Sequence, residues 1–115
     1  MNTFNFHTKI VGTSFREGIT ESIKALQPNQ TLILVREPNN EYDPNAVSVY
    51  RGGVMLGYIP KETALKINND VKEGRVRCTV SEVTGGTIGK DNYGVNILLE
   101  VTRVDEENNK DVKLD

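Results

Sequence analysis

The chain has no tryptophan, one cysteine, one histidine and four prolines among its 115 residues, and only 6% of it is aromatic. The lone Cys78 excludes an intramolecular disulfide, and its setting in Val76-Arg77-Cys78-Thr79-Val80 alternates as a strand does, which assigns it to packing. With His7 as the single histidine there is no zinc set, and neither a Ser-His-Asp order nor a Walker lysine has workable spacing. Gly85-Gly86-Thr87-Ile88-Gly89-Lys90 is glycine-rich but lacks both the GK[ST] ending and the strand-to-helix context of a phosphate loop. No apolar run approaches the roughly 18 residues of a membrane span. Met1 to His7 lacks the charged start and apolar core of a signal peptide, so the expected compartment is the cytoplasm. Without secretion, the Asn29-Gln30-Thr31 glycosylation pattern carries no weight.

What is present is the composition of one small folded domain: 37% apolar and 26% charged residues, with ten glycines. The formal charge of −2 is unevenly placed. Asp105 to Asp115 holds five acids and two bases, whereas Met1 to Val104 holds twelve bases and eleven acids. The division expected is therefore one domain over residues 1–104 and an acidic, disordered tail over 105–115, too poor in apolar surface to offset the entropy of ordering. A body of net charge near +1 cannot coat long duplex DNA, which takes many cations. A small site with few phosphate contacts is compatible with it.

Periodicity predicts strands over Asn5–Gly12, Thr31–Arg36, Ala46–Tyr50, Val54–Ile59, Arg75–Val83 and Asn96–Val104. Gly52-Gly53 offers the positive φ that a tight hairpin needs between two of them. Ile19, Ile23 and Leu26 repeat at helical spacing with Thr20 as a cap, and Ala64, Ile67 and Val71 do so after Pro60, a residue suited to a helix's first turn. Thr84 to Asn92 reads as a glycine-rich connection. The pattern is mainly β with one or two short helices, and strands of this number close most readily into a small bent sheet or barrel.

Chemistry concentrates in Arg36-Glu37-Pro38-Asn39-Asn40-Glu41-Tyr42-Asp43-Pro44-Asn45-Ala46. An ordered turn explains the prolines, asparagines and aspartate. It does not explain Tyr42, a large aromatic beside an acid, where a ligand ring could stack. Glu37, Glu41 and Asp43 could gather a divalent cation, although two of the three have ordinary turn roles.

The run Leu34 to Tyr50, followed by Leu56-Gly57-Tyr58-Ile59-Pro60-Lys61-Glu62 and preceded by Lys9-Ile10-Val11-Gly12-Thr13-Ser14-Phe15, resembles the HIRAN domain family over about Phe6 to Val104. Short free-standing versions of that domain are of the bacterial type. The resemblance implies an OB-like, six-stranded β-barrel that captures the 3′-hydroxyl end of single-stranded DNA during repair or replication-fork processing, with no catalysis and no cofactor. It implies a separate helicase or nuclease as a working partner. Carried over by position, Phe15 and Tyr42 are the aromatics for terminal bases, Asp43 accepts from the 3′-hydroxyl, Lys61 meets a phosphate, Tyr58 lines the site and Tyr93 matches a further aromatic position. Ser14 and Tyr58 replace an arginine and a histidine of a eukaryotic DNA-binding member, and Arg16 and Lys90 are candidate substitutes for the missing cations.

Each residue also has a structural alternative. Phe15 could cap the core, Tyr58 could be a sheet residue with its hydroxyl in water, Asp43 could simply cap the turn, and Lys61 could open a helix, where the macrodipole disfavours a cation. The alternative function is a protein-interaction or structural barrel using the same aromatic loop, since tyrosine and arginine also favour protein interfaces.

Overall fold

The structure, a computed structural model, describes residues 2–13, 19–85 and 93–103. Eight elements follow in order: β1 (Asn2–Lys9), α1 (Ile19–Lys24), β2 (Thr31–Arg36), β3 (Val47–Arg51), β4 (Val54–Tyr58), α2 (Lys61–Lys72), β5 (Val76–Gly85) and β6 (Tyr93–Arg103). Phe15, Ser14, Arg16, Lys90 and the whole of 105–115 lie outside the described residues.

The strands form one antiparallel sheet in the order β1-β6-β5-β2-β3-β4. Alternation puts Val95, Ile97, Leu99 and Val101 of β6 on the inner face, all fully buried, against Val47, Val49 and Leu56 from the other half of the sheet. The helices close the ends of this core. Ile19 and Ile23 of α1 and Ala64 and Ile67 of α2 are buried, and Leu26 completes the first helical stripe.

The expected barrel is not reached. The two edge strands meet at one bridge only, in which Val11 N–H donates to Tyr58 O at 2.8 Å and Tyr58 N–H to Val11 O at 2.9 Å. Extending that antiparallel register by two residues would set Lys9 opposite Pro60, which has no N–H and already turns into α2. One proline thus stops the ladder, and the sheet stays open. Gly57 makes the bridge possible: a Cβ there would collide with Val11 O and lie 2.6 Å from Ile10 Cγ2.

Local differences from expectation have similar causes. β1 begins at Asn2 because the far end of β6, Thr102 and Arg103, supplies partners for the polar residues Thr3 and Asn2. Thr84 and Gly85 are strand, paired with Gly94 and Tyr93, so the β5–β6 connection is shorter than its glycines suggest. Thr20 lies inside α1 rather than capping it, whereas α2 starts at Lys61 as expected, with Pro60 as its N-cap. The hairpin has φ of 59° at Gly52 and 81° at Gly53, as a two-residue turn between right-twisted strands requires.

At the C-terminal end of α2, Gly74 N–H bonds Val71 O and Arg75 N–H bonds Asp70 O, a paired cap made possible by φ of 73° at Gly74. Asp70 itself is 2% exposed. Its Oδ1 accepts from Arg75 Nε at 3.2 Å and Arg103 Nε at 3.1 Å, and its Oδ2 from Arg103 Nη2 at 2.8 Å. The Arg103 guanidinium also stacks 4.9 Å above the Phe4 ring. These hydrogen bonds, that from Arg103 foremost, hold the Asp70 carboxyl below the usual range despite its burial. Burial pushes the Cys78 thiol up to about 12, which leaves it inert packing.

Candidate nucleic-acid interface

The 37–46 loop is an ordered object. Glu37 N–H donates to Ala46 O at 2.9 Å, closing its base, and Asn40 N–H donates to Glu37 O at 3.0 Å. Asn40 then organises the tip: its Oδ1 accepts from the backbone N–H groups of Tyr42 at 2.8 Å and Asp43 at 3.0 Å, while its Nδ2 donates to Glu37 Oε1 at 2.9 Å. Asp43 Oδ1 accepts from Asn45 N–H at 2.9 Å. Asn68 of α2 donates to Asn45 O at 3.0 Å and accepts from Arg36 Nε at 2.9 Å, which ties the loop to the helix.

This backbone order positions Tyr42 without burying it. Its side chain is 93% exposed, the largest value among the exposed large hydrophobic residues. A ring so exposed gains nothing from the core and presents its face to solvent. Asp43 is half-buried, and with Oδ1 engaged in the turn its Oδ2 has no hydrogen bond among the described residues. The turn-capping and acceptor roles therefore fall to different oxygens of one carboxylate.

Tyr58 approaches from β4. It lies opposite Ser48 in β3, and its hydroxyl donates to Glu37 Oε1 at 3.0 Å and Oε2 at 3.3 Å, so its ring crosses β3 above Ser48, which is fully buried. Glu37 thus serves as the orienting partner of Tyr58 and Asn40. No group of three His, Cys, Asp or Glu side chains placed to hold a metal ion occurs among the described residues. Lys61, the first residue of α2, is exposed and forms no ion pair among the described residues.

Tyr42, Asp43, Tyr58 and Lys61 line one open depression of about 360 Å³, together with Val11, Asn40, Ala46 and Ile59. Four of the six residues singled out in the sequence are brought together by three separate elements. Tyr93 is not among the lining residues: it opens β6, packs half-buried against the core, and has Lys24 Nζ 6.0 Å from its ring centroid. Phe15 lies outside the described residues. A larger depression of about 600 Å³ on β1, β5 and β6 is lined by His7, Thr8, Lys9, Ser81, Glu82 and Asn96 and contains no tyrosine or phenylalanine. Sequence reasoning missed Asn40 as organiser and Val11 as wall. The density of Asn and Asp around position 40 was the available signal for the first, and the second depends on a bridge between residues 47 positions apart.

The depression combines a solvent-facing π-surface, a second tyrosine fixed by a carboxylate, one open carboxylate oxygen and one unpaired ammonium. Such a set can stack a ring, accept from a hydroxyl and meet one phosphate.

The model of the HIRAN domain family matches residues 3–102. A Fanconi-associated nuclease 1 homolog from Oryza sativa subsp. japonica is 39% identical over 67 residues, covering 55% of this chain but only 6% of that protein. Among solved structures, a Lactobacillus plantarum protein matches with a TM-score of 0.63 at 20% identity, over 88% of this chain and 100% of its own. The HIRAN domain of human HLTF matches with a TM-score of 0.59 at 24% identity, over 96% and 82%. At these identities the two structures speak to the fold.

Proposed function

The chain belongs to the HIRAN domain family, and from that premise we propose that it is a non-catalytic DNA-binding module that captures the 3′-hydroxyl end of a single strand through the Tyr42 depression. The observation that carries this reading is the convergence of Tyr42, Asp43, Tyr58 and Lys61 on one concavity, with Asp43 Oδ2 open toward a donor. Tyr42 offers its face to the terminal base, a contact of about 1 to 3 kcal/mol. Asp43 Oδ2 accepts a hydrogen bond from the terminal hydroxyl, and Lys61 meets the penultimate phosphate as a point charge. Tyr58, held by Glu37, gives the wall behind the sugar. Phe15 and Tyr93 are proposed as further stacking surfaces for the bases that follow.

A terminal phosphate would place its negative charges against Asp43, with Glu37 close behind, and be rejected. With few phosphates neutralised, affinity should fall gently with salt, by about 0.7 in log K per log unit of salt for each phosphate met on a single strand. The rice relative is by name a nuclease, and this chain corresponds to a small part of it. A module of this kind would serve DNA repair by delivering ends to a separate nuclease or helicase.

The test is fluorescence anisotropy of a short labelled strand at low salt, ending in 3′-hydroxyl or 3′-phosphate, with the protein and its Asp43→Ala variant. Preference for the hydroxyl that disappears in Asp43→Ala supports end capture. Equal binding to both ends reduces the module to a general single-strand binder, and absence of binding moves the loop to protein recognition.

A further inference from the structure

The two edges of the sheet are built differently. The β4 edge is short, carries a register shift at Val49/Tyr50, is engaged by Val11 at Tyr58 and ends in Pro60. The β1 edge meets the Val11 bridge only two residues beyond its end, and along Asn2 to Lys9 it carries no register shift and no proline. Asn2 to Lys9 pairs with β6 in one unbroken register, contains no proline and no acid, and is exposed at six of its eight residues.

The hydrogen-bond phase along this strand identifies what the open edge presents. Ile10 N–H donates inward to Val95 O at 3.0 Å, whereas Val11 N–H donates the opposite way, to Tyr58 O. By the alternation of an antiparallel strand, even-numbered residues bond β6, and Thr3, Asn5, His7 and Lys9 turn N–H and C=O outward. Those groups have no partner among the described residues.

We propose that this edge pairs with β1 of a second copy of the chain about a two-fold axis, joining two sheets into one. Outward-turned residues must face one another, so odd positions meet odd positions. Centring the axis on Phe6 places Thr3 opposite Lys9 of the second copy and Asn5 opposite His7, giving about eight backbone hydrogen bonds. It sets Phe6 against its counterpart across the closer, non-hydrogen-bonded spacing and covers Phe4, which is 40% exposed, with Thr8. No like charges meet: the only full charge on the strand, Lys9, lies at opposite ends of the paired segment in the two copies. The strand is thus complementary to itself in both hydrogen-bond phase and side-chain character, which is why the occupant proposed is a second copy. A single strand pair buries less than the roughly 1,200 Å² of a standard stable interface, so the dimer forms with rising concentration.

Sedimentation velocity from about 10 µM to 1 mM would read this directly, with dimer growing across the range. Asn5→Pro removes one outward N–H and none of the bonds to β6, a position where an edge strand tolerates proline. It should weaken dimerisation about tenfold or more while the thermal midpoint of the dilute protein stays near that of the parent. Should the proline disturb the fold, Asn5→Lys sets an ammonium against His7 and near Lys9 of the second copy without touching the backbone, and the same loss is expected. A chain that remains monomeric throughout, or a dimer that both variants leave unchanged, overturns the proposal.

Discussion

The two ends of α2 handle charge in opposite ways. At the C-terminal end Asp70 is buried and its carboxylate bonds, among the described residues, run to Arg75 and Arg103, so the polar groups there are consumed in holding α2 to β6 and to the start of β5. At the N-terminal end the polar groups of Glu37 and Asn40 are spent on the shape of a loop, and what the loop shapes, namely Tyr42 and Asp43, lines an outward-facing depression with Lys61. One end is turned inward on packing, the other outward to solvent. If the division is real, substitutions at the two ends should separate in denaturation and binding experiments.

The largest effect belongs to Asp70→Ala. Removing one partner of a buried ion pair leaves uncompensated charge, and with the arginine side chains 27% and 43% exposed, the expected loss is about 2 to 3 kcal/mol, the low side of such deletions. Urea denaturation measures it, and DNA binding by the folded fraction should be unchanged. The same site sets part of the acid response. The folded Asp70 carboxyl lies below its ordinary value near 3.8, so its contribution is fully present above that value and is lost as pH falls through the lowered one. The stability of Asp70→Ala should therefore fall less steeply than that of the parent below about pH 4.

Gly57→Ala acts beside the wall that Val11 and Tyr58 give the depression. The added Cβ meets Val11 O and Ile10 Cγ2, and Val11 is held by two backbone bonds, so the neighbours cannot give easily. We expect a loss of about 2 kcal/mol, as for overpacking a core, accompanied by weaker DNA binding because Val11 and Tyr58 both line the depression. A stability loss with unaltered binding would show that the bridge matters only to the fold.

Asn40→Ala removes three hydrogen bonds from an exposed loop rather than from the core. Water replaces most of them, so stability should fall by about 1 kcal/mol or less. Binding should fall with it, because the tip loses the order that presets Tyr42 and Asp43. Restoring an acceptor with Asn40→Asp should recover the two backbone contacts and part of the affinity.

What the sequence disclosed follows from this same division. The strands and helices were legible because periodicity records burial, as in Ile97, Leu99 and Val101. Tyr42, Asp43, Tyr58 and Lys61 were singled out through their resemblance to a family motif, and the structure sets them around one depression. Whatever depends on residues distant in sequence was hidden: Asp70 meets Arg103 across 33 positions, and neither residue has a local pattern that announces the other. The open sheet was hidden for a related reason. Pro60 reads locally as a helix start, and only the Val11 to Tyr58 register turns it into the residue that stops closure. The pairing of Tyr58 with Glu37 likewise needed β3 between them, so a glutamate that could have been read as a metal ligand proves to be an orienting acceptor.

The smallest effect on stability, and the sharpest separation, is expected for Tyr42→Ala. A ring 93% exposed contributes almost no burial, and the Tyr42 backbone N–H keeps its bond to Asn40 Oδ1 whatever the side chain, so the change in unfolding free energy should lie within about 0.5 kcal/mol. Affinity for a 3′-hydroxyl strand should drop by the stacking term, about 1 to 3 kcal/mol, with the salt slope unchanged because no cation is lost. Tyr42→Phe should retain most of the affinity, since it keeps the π-face and gives up a hydroxyl with no protein partner among the described residues. Anisotropy titrations at two salt concentrations, run beside urea melts of the same samples, distinguish the outcomes. If Tyr42→Ala destabilises the fold as Asp70→Ala does, the loop is part of the scaffold and the contrast between the two ends fails. If it costs affinity alone, the exposed tyrosine is kept for the ligand.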